Sequence, residues 1–348
     1  MGASVRGAAH ARAGVPNQDA IRWLQRGNLQ DGDGAGFVVL AVADGHGSPR
    51  CFRSDRGARL AVDVATAVLS ALAETEREVP DTAALRAAAG AIVERWREAV
   101  ADDLRRAPVT GAELAALERA AGRQAAVRRD CCPRLAYGTT LLAVLLASRY
   151  VAYFQLGDGD LLAVSHAGEV TRPLSADGRL FANETTSLCA GDASEHFRVG
   201  AHRLDEGAEP ALILLATDGY ANSFRDDLGF CQVGSDLLEI IRAYGVQAVE
   251  GSLEAWLEEA TQLGSGDDVS VGILCRLDAV EGEAEADHGT EVGSDGVVDS
   301  PLAAADHPSW GAGARDAPVG PEHGAGVTDA APAGPPGPSQ DECPVASG

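Results

Sequence analysis

Short, continuously apolar runs recur along the first 277 residues of this chain and indicate strands. Because these runs are apolar throughout rather than alternating, they predict sheets that are covered on both faces. Two of them lie on either side of Ser148-Arg149, an arrangement typical of a hairpin. The runs occupy residues 38–43, 140–147, 150–156, 160–164, 212–216 and 269–275.

Between these runs, apolar residues repeat at the spacing of an α-helix. Four helices are predicted from this spacing together with polar residues suited to helix ends. Ser54 is the predicted cap of the first helix, which has apolar positions between 61 and 72, and the second helix has an apolar face over 85–100. A capping-box pattern of Thr110 and Glu113 begins the third, and Ser252 and Gly264 bracket the fourth over 253–263.

The composition changes after Leu277. Residues 278–348 are rich in Gly, Pro and Ala, carry many Asp and Glu, and contain one basic residue, Arg315. Such a segment cannot bury enough apolar surface to offset the entropy lost on ordering. We therefore predict a folded domain over 1–277 and a disordered acidic tail over 278–348, which serves as a solvating segment or as a docking segment.

The formal net charge of −24 limits the possible partners. It disfavours nucleic acid, whose phosphates are repelled, and it disfavours an anionic membrane surface. Residues 135–154 are the most apolar segment, but polar residues interrupt it, so no membrane span is expected. No signal-peptide pattern opens the sequence. The seven cysteines form no CxxC pair, which indicates reduced thiols in a cytoplasmic protein.

Aspartates lie where predicted strands begin or end, and such residues gather at one edge of a sheet. Carboxylates in close proximity raise each other's pKa unless a cation neutralises them. With no obvious His or Cys ligand, such a group favours Mg²⁺ or Mn²⁺. Two such ions activate a water and clamp a phosphoryl group. An Asp-Gly pair is also a common turn, and spacing alone leaves both interpretations open. The aspartates at strand ends are Asp44, Asp158, Asp218 and Asp267, and Asp19, which adjoins no predicted strand, joins Asp44, Asp218 and Asp267 as a candidate ligand.

Six segments resemble, in the same order, the motifs of the PPM family, the bacterial form of the type 2C metal-dependent protein serine/threonine phosphatases. The resemblance implies an α+β fold, a two-sheet antiparallel β-sandwich flanked by α-helices in α-β-β-α layers. The segments are 2–20, Val42-Ala43-Asp44-Gly45-His46-Gly47, Tyr137-Gly138-Thr139-Thr140-Leu141, Leu156-Gly157-Asp158-Gly159-Asp160, Ala216-Thr217-Asp218-Gly219-Tyr220 and Gly266-Asp267-Asp268-Val269-Ser270-Val271.

The matching motifs imply a set of metal ligands. Asp44 would bridge two Mn²⁺ or Mg²⁺ ions, and the Gly45 carbonyl would be a further ligand. Asp218 and Asp267 would hold one of the two ions. Asp19 would contribute through a water.

The remaining roles implied by the resemblance are less complete. Asp158 would serve a third, weaker metal site shared with Asp218. His46 would be the general acid that protonates the leaving alkoxide, a role suited to an imidazole. The family's phosphate-binding Arg is replaced by Gly14, which leaves Arg12 and Arg6 as nearby candidates, of which Arg12 is preferred. Three further departures from the family pattern are Gln18 for Glu, Asp160 for the turn Arg and Asp268 for Asn.

The expected function is metal-dependent hydrolysis of phosphoserine and phosphothreonine on protein substrates by a cytoplasmic monomer. A serine/threonine kinase would be its counterpart. Two alternatives stay open from the sequence. One is a pseudophosphatase that acts as a regulatory binding module, and the other is a metal phosphoesterase for small molecules.

Overall fold

In a computed structural model that describes residues 1–29, 35–123, 125, 132–175, 186–204 and 209–280, ten strands form two antiparallel five-stranded sheets. Sheet A has the order β1-β10-β9-β6-β7, and sheet B has the order β2-β3-β4-β5-β8. The strands of sheet A are β1 (Gly2–Val5), β6 (Asp160–Ser165), β7 (Val170–Thr171), β9 (Pro210–Ala216) and β10 (Val269–Cys275); those of sheet B are β2 (Ala20–Arg26), β3 (Phe37–Ala43), β4 (Leu141–Ala147), β5 (Tyr150–Leu156) and β8 (Arg198–Arg203).

The two sheets pack face to face through one apolar layer. Leu40 and Val144 of sheet B belong to the same buried cluster as Ile213 and Leu215 of sheet A. Neighbouring positions such as Val39 point away from this layer and are also buried, under helices. The alternation of side chains along a strand thus places apolar residues on both faces, which explains the continuous apolar runs.

Helices cover the outer face of each sheet. Helices α2 and α3 pack on sheet B, while α7 and α8 pack on sheet A. The predicted α-β-β-α sandwich is therefore confirmed. The helices are α1 (Ala8–Ala13), α2 (Ser54–Thr75), α3 (Thr82–Arg106), α4 (Gly111–Ala121), α5 (Ala193–His196), α6 (Asp218–Ala221), α7 (Asp227–Tyr244), α8 (Val246–Leu263) and α9 (Leu277–Val280), with 3-10 turns at Pro49–Cys51 and Pro133–Tyr137.

Two predicted helix starts are wrong. Ser54 is the first residue of α2 rather than its cap, and its hydroxyl accepts a hydrogen bond from Gln18 Nε2 at 2.7 Å. Ser252 lies inside α8, which begins at Val246. The end of α8 before Gly264 and the capping box that begins α4 were predicted correctly.

Residues 281–348 of the predicted tail lie outside the described residues, so the tail stays a prediction. All described residues belong to one compact unit, Met1–Gly311. None of the described helices is long and apolar enough to cross a membrane. Of the seven cysteines, the five in the described part are free thiols, whereas Cys131 and Cys343 lie outside it.

A buried arginine fixes the segment that leads into β4. Arg53 is 4% exposed and donates to the Glu113 carboxylate on α4 and to the Tyr137 hydroxyl, both at 2.8 Å. Tyr137 in turn donates to Asp103 Oδ2 on α3 at 2.6 Å. Because charge-assisted hydrogen bonds hold both sides of Tyr137, the following residue, Gly138, is placed rigidly.

Two helical glycines provide a matched test of the packing between α2 and this segment. A Cβ added at Gly57 would lie 2.0 Å from the Tyr137 carbonyl oxygen, whereas a Cβ at Gly90 on α3 would meet nothing within 4 Å. Gly57→Ala is expected to lower the free energy of unfolding by about 1–3 kcal/mol, as overpacking does. Gly90→Ala should raise it by about 0.5–1 kcal/mol, because Ala favours the helix. Urea unfolding measures both, and a stabilised Gly57→Ala variant would contradict the contact.

Candidate functional site

The loop after β3 is held in place by its own backbone and by the start of β4. The Asp44 carbonyl accepts from Thr140 N and from Thr139 Oγ1, both at 2.8 Å, and Asp44 N donates to Thr140 Oγ1 at 3.1 Å. A side chain at Gly45 would collide with the Gln18 and Ser54 carbonyls, 2.5 and 2.8 Å from its Cβ. The two threonines of the predicted motif therefore position the Asp44 carboxylate without contributing ligands themselves.

The imidazole of His46 packs against a second glycine. His46 N donates to the Gly138 carbonyl at 3.1 Å. A Cβ at Gly138 would lie 2.8 Å from both His46 Cδ2 and Cys51 Sγ, so only glycine leaves room for this ring. Burial lowers the pKa of His46, and the negative charge of Asp158 partly opposes that shift. His46 is thus predominantly neutral near pH 7 and a comparatively strong acid when protonated.

Asp218 and Asp267 are brought together at one end of sheet A, where β9 ends and β10 begins. The two strands are antiparallel neighbours, with Val271 opposite Ala216. The chain after β9 approaches β10 so closely that a Cβ at Gly219 would lie 2.1 Å from the Asp268 carbonyl. The end of one strand and the start of its antiparallel neighbour meet at the same edge of a sheet, which explains why these aspartates adjoin.

Asp158 reaches the same place from the turn between β5 and β6, which belong to different sheets. Gly157, with φ at +104°, makes the turn possible, because this conformation is strained for other residues. Asp158 is exposed and its charge acts on Asp44, Asp218 and His46. Its position is therefore compatible with the predicted weaker metal site shared with Asp218.

Asp19 is buried behind these residues. It is 7% exposed and its Oδ2 accepts from Thr217 Oγ1 at 2.8 Å. It lines a second depression on the surface, with Arg22 and Arg59, rather than the cleft that contains Asp44. Its predicted contribution through water remains a prediction.

The remaining acidic groups share one cleft of about 200 Å³. Aspartates from both sheets and two histidines line it, and no Arg is among the described residues that do so. The lining residues are His10, Asp44, Gly45, His46, Gly47, Asp158, Asp218, Asp267 and Asp268.

The pKa values of the clustered carboxyl groups reflect this crowding. Burial raises the pKa of Asp44 well above its usual range, and the charges of Asp19 and Asp218 raise it further. Burial likewise raises the pKa of Asp19 and of Asp218. The interaction between the Asp44 and Asp218 carboxyl groups raises the pKa of Asp44 further and partly opposes the rise at Asp218. The cluster therefore holds protons that a bound cation would displace.

The donor atoms fit a divalent metal. Asp44, Asp218 and Asp267 line the same cleft, with no Arg among its described lining residues, and carboxylate oxygen is the ligand type that Mn²⁺ and Mg²⁺ prefer. Two donor atoms near them, Gln18 Oε1 and His10 Nδ1, are buried and have no hydrogen-bond partner in the described part of the chain. A cation, or water held by a cation, would satisfy such atoms.

The predicted phosphate-binding half of the site is not brought to the cleft. Arg12 is exposed on α1 and is absent from the cleft lining. Asp160, which stands where the family has an Arg, pairs with Arg172 at 2.9 Å, away from the cleft. The role of Arg12 therefore remains a prediction without a contact to support it.

Two residues of the cleft were not anticipated as site residues from the sequence. Asp268 is buried, and its two oxygens accept from Gly7 N and Gln18 N, each at 2.6 Å. His10 lies beside it, with Nδ1 2.8 Å from Asp268 Oδ2. No signal in the sequence pattern marks His10, because its place in the cleft depends on hydrogen bonds between the first motif and Asp268 at the start of β10.

The chain matches one protein family and several solved structures. The family model for protein phosphatase 2C matches residues 6–258, which include Asp19, Asp44, Asp158 and Asp218 but not Asp267. None of the curated protein sequences matches significantly.

Three solved structures illustrate the similarity. The catalytic domain of the serine threonine protein phosphatase PstP in complex with two manganese ions is 20% identical, with a TM-score of 0.45, over 78% of this chain and 95% of that chain. Stp1, a serine/threonine phosphatase from Staphylococcus aureus, is 14% identical, with a TM-score of 0.48, over 80% and 94%. PppA of Pseudomonas aeruginosa is 18% identical, with a TM-score of 0.46, over 78% and 95%.

Proposed function

This chain belongs to the protein phosphatase 2C family, and on that basis we propose that it hydrolyses phosphoserine and phosphothreonine in protein substrates with the help of two divalent metal ions. The observation that carries the proposal is the shared cleft. Carboxylates from both sheets and the His46 imidazole face one small space that has no Arg among its described lining residues. Such a space would bind cations, and a phosphoryl group would then bind to those cations.

Each side chain of the cleft has a proposed part in binding or proton transfer. Asp44 would bind both ions, with the Gly45 carbonyl beside it, and Asp218 and Asp267 would bind one of them. When bound, Mn²⁺ or Mg²⁺ supplies a polarised water and neutralises the charge of the phosphoryl group. Asp158 would hold a third, weaker ion. The hydrogen bonds from Thr139 and Thr140 to the Asp44 backbone keep Asp44 in place while substrate enters.

His46 is the proposed proton donor to the leaving oxygen. A serine or threonine alkoxide is a poor leaving group, so its departure needs a proton. His46 lies in the cleft beside Asp44; burial lowers its pKa, which makes the protonated imidazole a stronger acid, and the charge of Asp158 partly opposes that shift. Aryl phosphates, whose leaving groups are stable anions, need this donor far less.

A comparison of substrates tests the function and the donor together. With Mn²⁺ present, the full chain should hydrolyse phosphoserine and phosphothreonine peptides as well as an aryl phosphate. His46→Ala should slow peptide hydrolysis by about 10²-fold or more, as expected for loss of a general acid, and slow aryl phosphate hydrolysis much less. The matched control, His202→Ala, removes an exposed histidine on β8 and should leave both rates unchanged.

Three outcomes would contradict parts of the proposal. Equal slowing of both substrate types by His46→Ala would remove the proton-donor role. Hydrolysis of the aryl phosphate without any peptide hydrolysis would favour a small-molecule phosphoesterase. Binding of a phosphopeptide without hydrolysis of any substrate would favour a regulatory binding module. The cytoplasmic location, the monomeric state and the kinase counterpart remain predictions from the sequence.

A further inference from the structure

One wall of the cleft is formed by the short helix α1, which carries His10. The His10 Nδ1 atom lies 2.8 Å from Asp268 Oδ2, and His10 Nε2 lies 3.8 Å from Asp267 Oδ1. The side chain of Asp268 is 3% exposed, that of His10 is 20% exposed and that of Asp267 is 53% exposed. An imidazole therefore stands between a buried carboxylate and an accessible one, at the mouth of the site.

The position of this helix is fixed by contacts to the segment before β10. Ala9 N donates to the Gly266 carbonyl at 2.8 Å, and Ala8 N donates to Thr261 Oγ1 at 2.9 Å. The residues that flank the helix, Gly7 and Gln18, both donate their backbone N–H groups to Asp268. Because these bonds join the first motif to the last, His10 cannot leave Asp267 and Asp268 without breaking them.

The contact between His10 and Asp268 is not an ordinary hydrogen bond. His10 Nδ1 is buried and has no hydrogen-bond partner with acceptable geometry in the described part of the chain, although Asp268 Oδ2 is close to it. Each oxygen of Asp268 already accepts one backbone N–H and keeps a second lone pair. The 2.8 Å between His10 Nδ1 and Asp268 Oδ2, without the geometry of a hydrogen bond, is close to the spacing of two neighbouring ligands of one cation.

The span of the group also suits one ion. One ligand atom from each of His10, Asp267 and Asp268 lies within 4.8 Å of the others. Ligands on opposite sides of an ion with bonds of about 2.1 Å are about 4.2 Å apart. Because Asp267 is half exposed, a small rotation of its carboxylate would reduce the largest separation in this group, at most 4.8 Å, to the roughly 4.2 Å that one ion requires.

Resting on the function proposed above, we propose that His10 is a nitrogen ligand of a divalent cation that it holds together with Asp267 and Asp268. The site on this wall is then a mixed nitrogen and oxygen site rather than a purely oxygen one. Imidazole suits first-row transition metals such as iron, nickel and zinc, whereas Mg²⁺ prefers oxygen ligands. His10 thus makes this part of the cleft selective for a transition metal over Mg²⁺.

The test is spectroscopic and does not use turnover. Mn²⁺ bound to the full chain should show, in pulsed electron paramagnetic resonance, the ¹⁴N coupling of a directly bound imidazole. His10→Ala and His10→Gln should lose this coupling and bind Mn²⁺ at least about tenfold more weakly, since even indirect partners of metal ligands contribute that much. Mg²⁺ affinity should change much less in the same variants. His202→Ala should keep both the coupling and the affinity.

Each other result has a definite meaning. If wild type binds Mn²⁺ without ¹⁴N coupling, or if the coupling survives in both His10 variants, His10 is not a ligand and the inference is wrong. If both variants keep their Mn²⁺ affinity but lose affinity for inorganic phosphate, His10 contacts phosphate instead, and the inference is equally wrong. Peptide hydrolysis by the same wild-type preparation decides the phosphatase proposal separately, so the two can fail independently.

Discussion

Asp44→Asn is expected to reduce Mn²⁺-dependent phosphopeptide hydrolysis by about a thousandfold, equivalent to about 4 kcal/mol of barrier. Asn has nearly the same shape, so the backbone bonds from Thr139 and Thr140 to the Asp44 carbonyl survive. The change removes the charge that is proposed to bind two ions at once. Asp218→Asn should act in the same direction, because its carboxylate lines the same cleft as Asp44 and is proposed to bind one of the two ions.

A control variant separates this effect from a change of net charge. Asp63 lies on α2, is about half exposed and pairs with Arg22. Asp63→Asn alters the formal charge by the same amount as Asp44→Asn, yet it should leave hydrolysis within about twofold, because a surface ion pair of this kind contributes about 0–1 kcal/mol. Full activity of Asp44→Asn at saturating Mn²⁺ would reject the bridging role, and matching losses in both variants would point to a general charge effect.

The metal-free protein should lose stability as the pH rises. Asp19, Asp44 and Asp218 have raised pKa values in the folded state, so the folded chain retains protons that the unfolded chain releases above about pH 4. The free energy of unfolding therefore decreases from about pH 4 up to the raised pKa values, and each retained proton lowers it by about 1.4 kcal/mol per pH unit. The pKa of Glu113 is instead lowered to about 2 by Arg53, so the stability that this group contributes is lost only in more acidic solution.

Urea unfolding at pH 5 and pH 8 measures this dependence directly. In chelator the protein should be less stable at pH 8 than at pH 5, because the three carboxyl groups with raised pKa values outweigh His46, whose lowered pKa acts in the opposite direction near neutral pH. Excess Mn²⁺ should remove most of the difference, because a cation replaces the protons. Asp44→Asn should unfold with a flatter pH dependence in chelator and gain less from Mn²⁺. A metal-free stability that is constant or rises over this range would show that the cluster is already neutralised by other means.

Much of the fold could be predicted because its central strands are buried on both faces. Strand β3 and the β4–β5 hairpin are apolar at nearly every position, so the pattern indicates buried strands. Strand β2 was missed because it alternates between half-buried and exposed residues at the edge of sheet B. Helix α8 was begun too late because Ser252 looks like a cap, although tertiary packing continues the helix through it.

The family predicted from the six motifs is confirmed, and the structure gathers most of the residues of those motifs. Asp44, Asp158, Asp218 and Asp267 could be predicted together because each lies at the end of a strong strand. The nearness of His10 could not be predicted, since it depends on two backbone hydrogen bonds to Asp268 from residues about 250 positions away in sequence. A pattern confined to one segment carries no information about such a distant partner.

The contacts between the N-terminal segment and the start of β10 have a consequence for the order of folding. The pairing of β1 with β10 and the bonds of Asp268 to Gly7 and Gln18 join the two ends of the domain sequence. Contacts of such long range carry a large loop-closure entropy and tend to form late. The proposed metal site, which needs residues from both ends, would then be absent from the transition state for folding. Added Mn²⁺ should accordingly lengthen the lifetime of the native protein while leaving its refolding rate almost unchanged.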